Sequence, residues 1–273
     1  MRKPKTLLGT AVKAACLALM AWPVQAQDLS DMVEVTVLPG WRADDGSHMA
    51  ALHLDLGPGW KTYWRAPGDA GIPPVFNWYG SRNVARVDVQ WPSPKVVPQF
   101  GYLTIGYDQD VILPLRVTPT ARGGDAALKG RIEIGVCKDV CVPITVNVAQ
   151  DLPKVAKNPD PSIVAALAAR PFTASEAGVR GVECRLSPAK DGLALTAKIT
   201  MPKLSGSEMA VFEPRDSSIW VAPAKTKRQG NTLVAQTTLQ HVQGRSFALD
   251  RSALRITVLG QGSAVDIQGC SAG

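Results

Sequence analysis

The stretch RIEIGVCKDVCVPITVNV, Arg131 to Val148, holds two runs that alternate apolar and polar residues with period two, and each run has a cysteine at its inner end. Ile132, Ile134 and Val136 share one strand face, and Arg131, Glu133, Gly135 and Cys137 share the other. After the turn, Val142, Ile144, Val146 and Val148 take one face and Cys141, Pro143, Thr145 and Asn147 the opposite one. In a single continuous strand, cysteines at this spacing would hold their Cα atoms roughly 13 Å apart, beyond the roughly 4.4–6.8 Å a disulfide tolerates. With Lys138, Asp139 and Val140 as a hairpin loop, Cys137 and Cys141 sit opposite each other at about 5.5 Å and can bond.

A cross-link closing so short a loop removes little unfolded-state entropy, and the flanking strand pattern already specifies the hairpin. Spacing alone fits a structural disulfide as well as an exchangeable one. The parity of both cysteines, on the less apolar side, favours exchange: an outward-facing thiol is reachable by another protein, and the neighbouring Lys138 ammonium favours thiolate. Capture of Cu(I) by the two thiolates is a further alternative. His48, His53 and His241 have no sequence tie to the thiols, which argues against a tetrahedral zinc site.

The same period-two signal recurs in VEVTV (Val33–Val37), LHLDL (Leu52–Leu56), LALTAKITM (Leu193–Met201) and LRITV (Leu254–Val258). These read as half-buried strands of antiparallel sheets. Turn-rich pieces such as LGPG (Leu56–Gly59), APGDAGIPP (Ala66–Pro74) and KRQGN (Lys227–Asn231) separate the strand runs at a spacing that suits β-sandwiches. DPSIVAALAAR predicts one helix, with Asp160 as N-cap, Pro161 at the first helical position and a stop before Pro171. The expected organisation is all-β: a signal peptide over 1–26, a β-sandwich domain over 27–150, a linker with a short helix over 151–178, and a second β-sandwich domain over 179–273.

The leader reading rests on Arg2, Lys3, Lys5 and Lys13, the apolar run AACLALMAWPV, and small residues at the −3 and −1 positions of VQA, with cleavage near Ala26. An exported chain meets an oxidising compartment, where four mature cysteines suggest two disulfides. Cys184 shares parity with Val182 and Leu186 and is expected to face a core; paired with Cys270 it would staple the second domain. The full chain has 30 Lys and Arg against 23 Asp and Glu, and loss of the leader brings the balance to +3. So mild a charge, with no basic block interleaved with aromatics, gives no case for nucleic acid. No GxSxG elbow, P-loop or paired-carboxylate motif points to a hydrolase, and no cofactor is expected.

Three ordered motifs carry a resemblance: GWKTYWRAPGDAGIPP (Gly59–Pro74), QFGYLTIGYDQDVILPL (Gln99–Leu115) and the CKDVC hairpin. Over Val33 to Asp151 the chain resembles the amino-terminal periplasmic domain of the thiol:disulfide interchange protein DsbD, in the variant found in ScsB-type proteins. The second domain resembles the extra β-domain of ScsB-type chains more loosely. The resemblance implies an immunoglobulin-like sandwich and a thiol-disulfide oxidoreductase of the periplasm. Its cysteine pair would take electrons from a membrane-embedded DsbD- or CcdA-like donor and pass them to thioredoxin-like or disulfide isomerase-like clients. It further implies that Phe100 shields the disulfide, that Tyr63 lies near it, and that Cys141 faces the partner. Copper tolerance, associated with ScsB-type proteins, keeps copper among the possible partners. Pro98 and Gln99 stand where the DsbD pattern has acidic residues, so carboxylate-assisted proton handling is not implied here. The membrane and carboxy-terminal parts of DsbD have no counterpart in the chain, so the expected donor is a separate protein.

Overall fold

The computed structural model describes residues 31–99 and 101–273; the expected leader over 1–26 and Phe100 lie outside the described residues. Ten strands make up the amino-terminal half: β1 (Val33–Arg42), β2 (His48–Leu56), β3 (Lys61–Gly68), β4 (Val75–Asn77), β5 (Arg86–Val89), β6 (Lys95–Gln99), β7 (Tyr102–Tyr107), β8 (Val111–Thr118), β9 (Ala126–Cys137) and β10 (Cys141–Leu152). They build two antiparallel sheets. One runs β1-β2-β8-β5; the other runs β10-β9-β3-β7-β6, with β4 also paired to β9. Leu52, Leu54, Leu115, Trp64, Leu128 and Ile132 are buried between them. Each fully buried leucine or isoleucine contributes about 1.5–3 kcal/mol, so the alternating faces read from sequence supply the drive for this immunoglobulin-like sandwich.

Beyond β10 the chain enters α1 (Pro161–Ala168), the single helix among the described residues. The Asp160 carboxylate caps it by accepting from the backbone N–H of Ser162 at 2.8 Å and of Ile163 at 3.4 Å. Fully buried Ile163, with a Ser93 N–H donating to the Ala169 carbonyl at 2.8 Å, seats this connector against the first half. No described helix is long and apolar enough to cross a membrane.

The carboxy-terminal half is again two sheets, one containing Gly181–Ala189, Gly192–Thr200 and Thr232–His241, the other containing Met209–Glu213, Arg255–Leu259 and Ala264–Gln268. Cys184, Leu195, Ile199, Leu239, Ile256, Val258, Val265 and Ile267 form its core. Here the structure departs from the sequence expectation of half-buried strands. Residues 256–259 are buried without alternation, because Leu259 and Ala264 join the core of the first half, with Met209 and Val211 packed against it. This sheet is therefore covered on both faces, which period-two reading of a five-residue segment could not reveal.

Cys184, fully buried, is bonded to Cys270 with Cα atoms 5.7 Å apart across 86 residues of chain. Loop-closure entropy for that span corresponds to about 4–5 kcal/mol. A Cys184→Ala/Cys270→Ala variant is expected to lose roughly that much unfolding free energy in urea melts; a loss under about 1 kcal/mol would contradict this account of the bond.

Candidate redox site

The β9–β10 hairpin fixes the first elements of the site. Its register pairs Cys141 directly with Cys137, with Val142 opposite Val136, leaving residues 138–140 as the loop. The two cysteines are disulfide-bonded with Cα atoms 4.1 Å apart, which is nearer the narrow, non-hydrogen-bonded spacing of antiparallel strands than the wide one expected from the sequence.

The two sulfurs are not equally accessible. Cys137 is fully buried and Cys141 is partly exposed. This corrects the expectation that both face outward. Cys137 does lie on the face opposite Val136, but that face is covered locally by a second layer of side chains. Its principal member is Tyr63, 3 % exposed, on β3, the strand that pairs with the far edge of β9 through Lys61 and Thr62. The Tyr63 hydroxyl lies 3.3 Å from the Cys141 sulfur and 3.4 Å from Gln99 Oε1.

Space for the tyrosine ring comes from two glycines. A Cβ at Gly135 would stand 2.9 Å from Tyr63 Cδ2 and Cε2 and 2.6 Å from the Ile72 Cβ, and one at Gly71 would stand 2.8 Å from Tyr63 Cδ1. Only a residue without a side chain lets the ring lie flat against β9 while the GDAGIPP segment closes over it. Thr62, one residue back, donates from Oγ1 to the Gly135 carbonyl at 2.9 Å and ties β3 to the same point.

Gln99, at the end of β6, completes the cover. It is 6 % exposed, and its Nε2 donates to the Cys141 sulfur at 3.0 Å and also to the Cys137 sulfur. The sequence offered this residue only as a missing carboxylate; nothing local marks a glutamine after Pro98 as a neighbour of cysteines 38 and 42 residues away. Lys138 differs from expectation in the other direction. Its ammonium reaches back across the loop and donates to the Pro58 carbonyl at 3.0 Å, so its hydrogen bond goes to backbone and not to sulfur. The donors aimed at the sulfurs are thus neutral: one amide and one phenol. Phe100 follows Gln99 directly but lies outside the described residues.

Burial pushes the Tyr63 hydroxyl above the usual tyrosine range, partly opposed by its bond to Gln99, so it remains a proton donor throughout the neutral range. Among the described residues no group of three or more His, Cys, Asp or Glu side chains gathers in a way that could hold a metal ion.

Comparison with known proteins places this geometry. Residues 34–153 match the family model of the thiol:disulfide interchange protein DsbD, N-terminal. That segment is thus similar to the DsbD amino-terminal domain. No curated protein matches the chain. Among solved structures, the N-terminal periplasmic domain of ScsB from Proteus mirabilis superposes with a TM-score of 0.68 at 22 % identity, covering 93 % of this chain and 98 % of that one. The DsbD-type segment thus spans all ten strands of the first half except their outermost residue at the start, and the ScsB likeness extends the shared fold through the second half.

Two outcomes follow from the packing around Tyr63. Gly135→Ala is expected to destabilise the protein by about 1–3 kcal/mol in urea melts, since the ring or Ile72 must shift; unchanged stability would show that the ring has room to spare. Raised hydroxyl values in the folded state, at Tyr63 and at buried Tyr107, mean that folded protein holds protons that unfolded protein releases above pH ~10. Stability is therefore complete below that pH and falls as pH rises through the folded values. Tyr63→Phe should flatten the alkaline loss in pH-dependent melts; an identical pH profile would count against a neutral, buried Tyr63.

Proposed function

We propose that the chain is a thiol-disulfide electron carrier of the periplasm, exported through its leader, with Cys137–Cys141 as the redox pair. One observation carries the reading: a disulfide with one buried and one partly exposed sulfur, closing a loop of three residues and touched by two neutral donors. The match of residues 34–153 to the DsbD amino-terminal family model supports it.

The unequal burial assigns roles. In the reduced chain the Cys141 thiolate attacks one sulfur of a client disulfide, forming a mixed disulfide and releasing the client's other sulfur as thiolate. Cys137, held against Cys141 by the hairpin register, then attacks the Cys141 sulfur. That step restores the intramolecular bond and frees the second client thiolate. Two electrons pass to the client, and the two protons left by the cysteines end on the client thiols. The Gln99 amide and Tyr63 hydroxyl lower the energy of a Cys141 thiolate by hydrogen bonding to it, the task an adjacent cation would otherwise perform. Phe100 is assigned the shielding position, and Lys138 organises the loop through Pro58. Reduction of the pair falls to a membrane-embedded carrier of the DsbD or CcdA type, and thioredoxin-like proteins are the clients. The Cys184–Cys270 bond is the staple of the second domain and takes no part in exchange.

Equilibration of a Cys184→Ala/Cys270→Ala variant in dithiothreitol or glutathione buffers is expected to give a potential of roughly −120 to −270 mV, the range of exchange proteins. A value below about −300 mV would mark the hairpin disulfide as structural and remove the carrier reading.

A further inference from the structure

β3 continues from Tyr63 into Trp64, Arg65, Ala66 and Pro67, and these four residues are loosely held by the sheet. On one side the pairing with β7 jumps from Tyr63 opposite Gly106 to Gly68 opposite Thr104. On the other, β9 pairs with β3 at Lys61 and Thr62 alone, and β4 takes the edge beyond. Ladder hydrogen bonds therefore fix the strand up to the tyrosine and leave open the stretch that follows it. Trp64 anchors that stretch inward, fully buried in the first core.

A second anchor comes from the other half of the molecule. Arg65, two residues beyond Tyr63 on β3, donates from Nε and Nη2 to the two oxygens of Glu213 at 2.9 Å each. Nη2 also donates to Thr257 Oγ1 at 3.2 Å, and the guanidinium lies 3.8 Å from the Trp64 ring centroid. The pair is largely shut off from water, with side chains 14 % and 20 % exposed. Glu213 and Thr257 both sit on the sheet that the two cores share. Burial alone pushes the guanidinium below its ordinary range, and Glu213 opposes this. A two-pronged, ring-stacked arginine at this depth is a fixed geometry rather than a fluctuating surface pair.

We propose that the carboxy-terminal half serves the redox pair as a clamp: Glu213, through Arg65, holds β3 so that the Tyr63 hydroxyl stays in hydrogen-bonding range of the Cys141 sulfur. Glu213 and Arg65 are then positioning residues some distance along the chain from the sulfurs, and the second half tunes how readily Cys141 reacts. The inference rests on the carrier reading for its functional consequence, but its structural content stands apart from it.

The test is a double-mutant cycle on the full chain, reduced at the hairpin cysteines and mixed with oxidised glutathione as the probe disulfide. Glu213→Gln removes the charge and one prong; Arg65→Lys serves as the second variant where the first folds poorly. Each is expected to slow the reaction by about threefold or more, as Tyr63→Phe does, and Glu213→Gln combined with Tyr63→Phe is expected to be no slower than Tyr63→Phe alone. Slowing that multiplies across the two sites, or no slowing from either clamp variant, overturns the proposal. The Tyr63 ring carbon resonance, followed by NMR in the oxidised protein, is expected to shift in both clamp variants, and an unmoved resonance overturns the clamp. Should the parent chain fail to react with oxidised glutathione while that resonance still shifts, the carrier reading fails and the clamp stands as a positional device.

Discussion

The register of one hairpin governs the site. Because Cys141 pairs with Cys137 and not with a neighbour, both sulfurs emerge on the face of β9 away from the sandwich core. A slip of one residue would turn one cysteine to the face of Ile132 and Ile134 while the other stayed on the opposite face, and the two could no longer bond. The long ladder that sets this register extends from the cysteines to Leu152 opposite Ala126, with Leu128, Ile132, Ile134, Ile144 and Val148 committed to the core. The chemistry at the hairpin's tip is thereby held by hydrophobic burial along its length.

Tyr63 turns that exposed face into a site. Its ring lies on Gly135 and under Gly71, burying Cys137 while leaving Cys141 in partial contact with solvent. The asymmetry matters chemically, since exchange needs one sulfur that a partner can touch and a second that stays close for resolution. Neutral donors from Tyr63 and Gln99 suit this arrangement. An ammonium in the same place would favour thiolate more strongly but would have to be desolvated each time a client docked, whereas an amide and a phenol lose less on burial. The shared sheet of the second half, reaching β3 through Arg65, extends the same logic across the molecule.

Much of this was legible in sequence, and the reasons for the remainder are specific. Strand runs such as LHLDL and RIEIGV announced themselves because a half-buried strand must alternate, and Asp160-Pro161 marked the helix start through capping chemistry alone. What failed was the step from parity to exposure. Parity says which side of a strand a cysteine occupies, but the cover on that side comes from Tyr63, Ile72 and Gln99, which are separated from Cys137 by 38 residues or more. Lys138 misled for a related reason: adjacency along the chain placed its ammonium beside a thiol, while the loop geometry directs it to Pro58. Gln99 had no local signal at all, and the doubly covered strand Arg255–Leu259 was too short for its unbroken burial to stand out from alternation.

The central claim is that the hairpin pair is exchangeable and asymmetric, and differential alkylation of the wild-type chain tests it most directly. After mild reduction and a brief pulse of iodoacetamide, peptide mass mapping is expected to find Cys141 modified first, Cys137 modified slowly, and Cys184–Cys270 still bonded. Equal modification of Cys137 and Cys141, or opening of Cys184–Cys270 before the hairpin pair, would contradict the account.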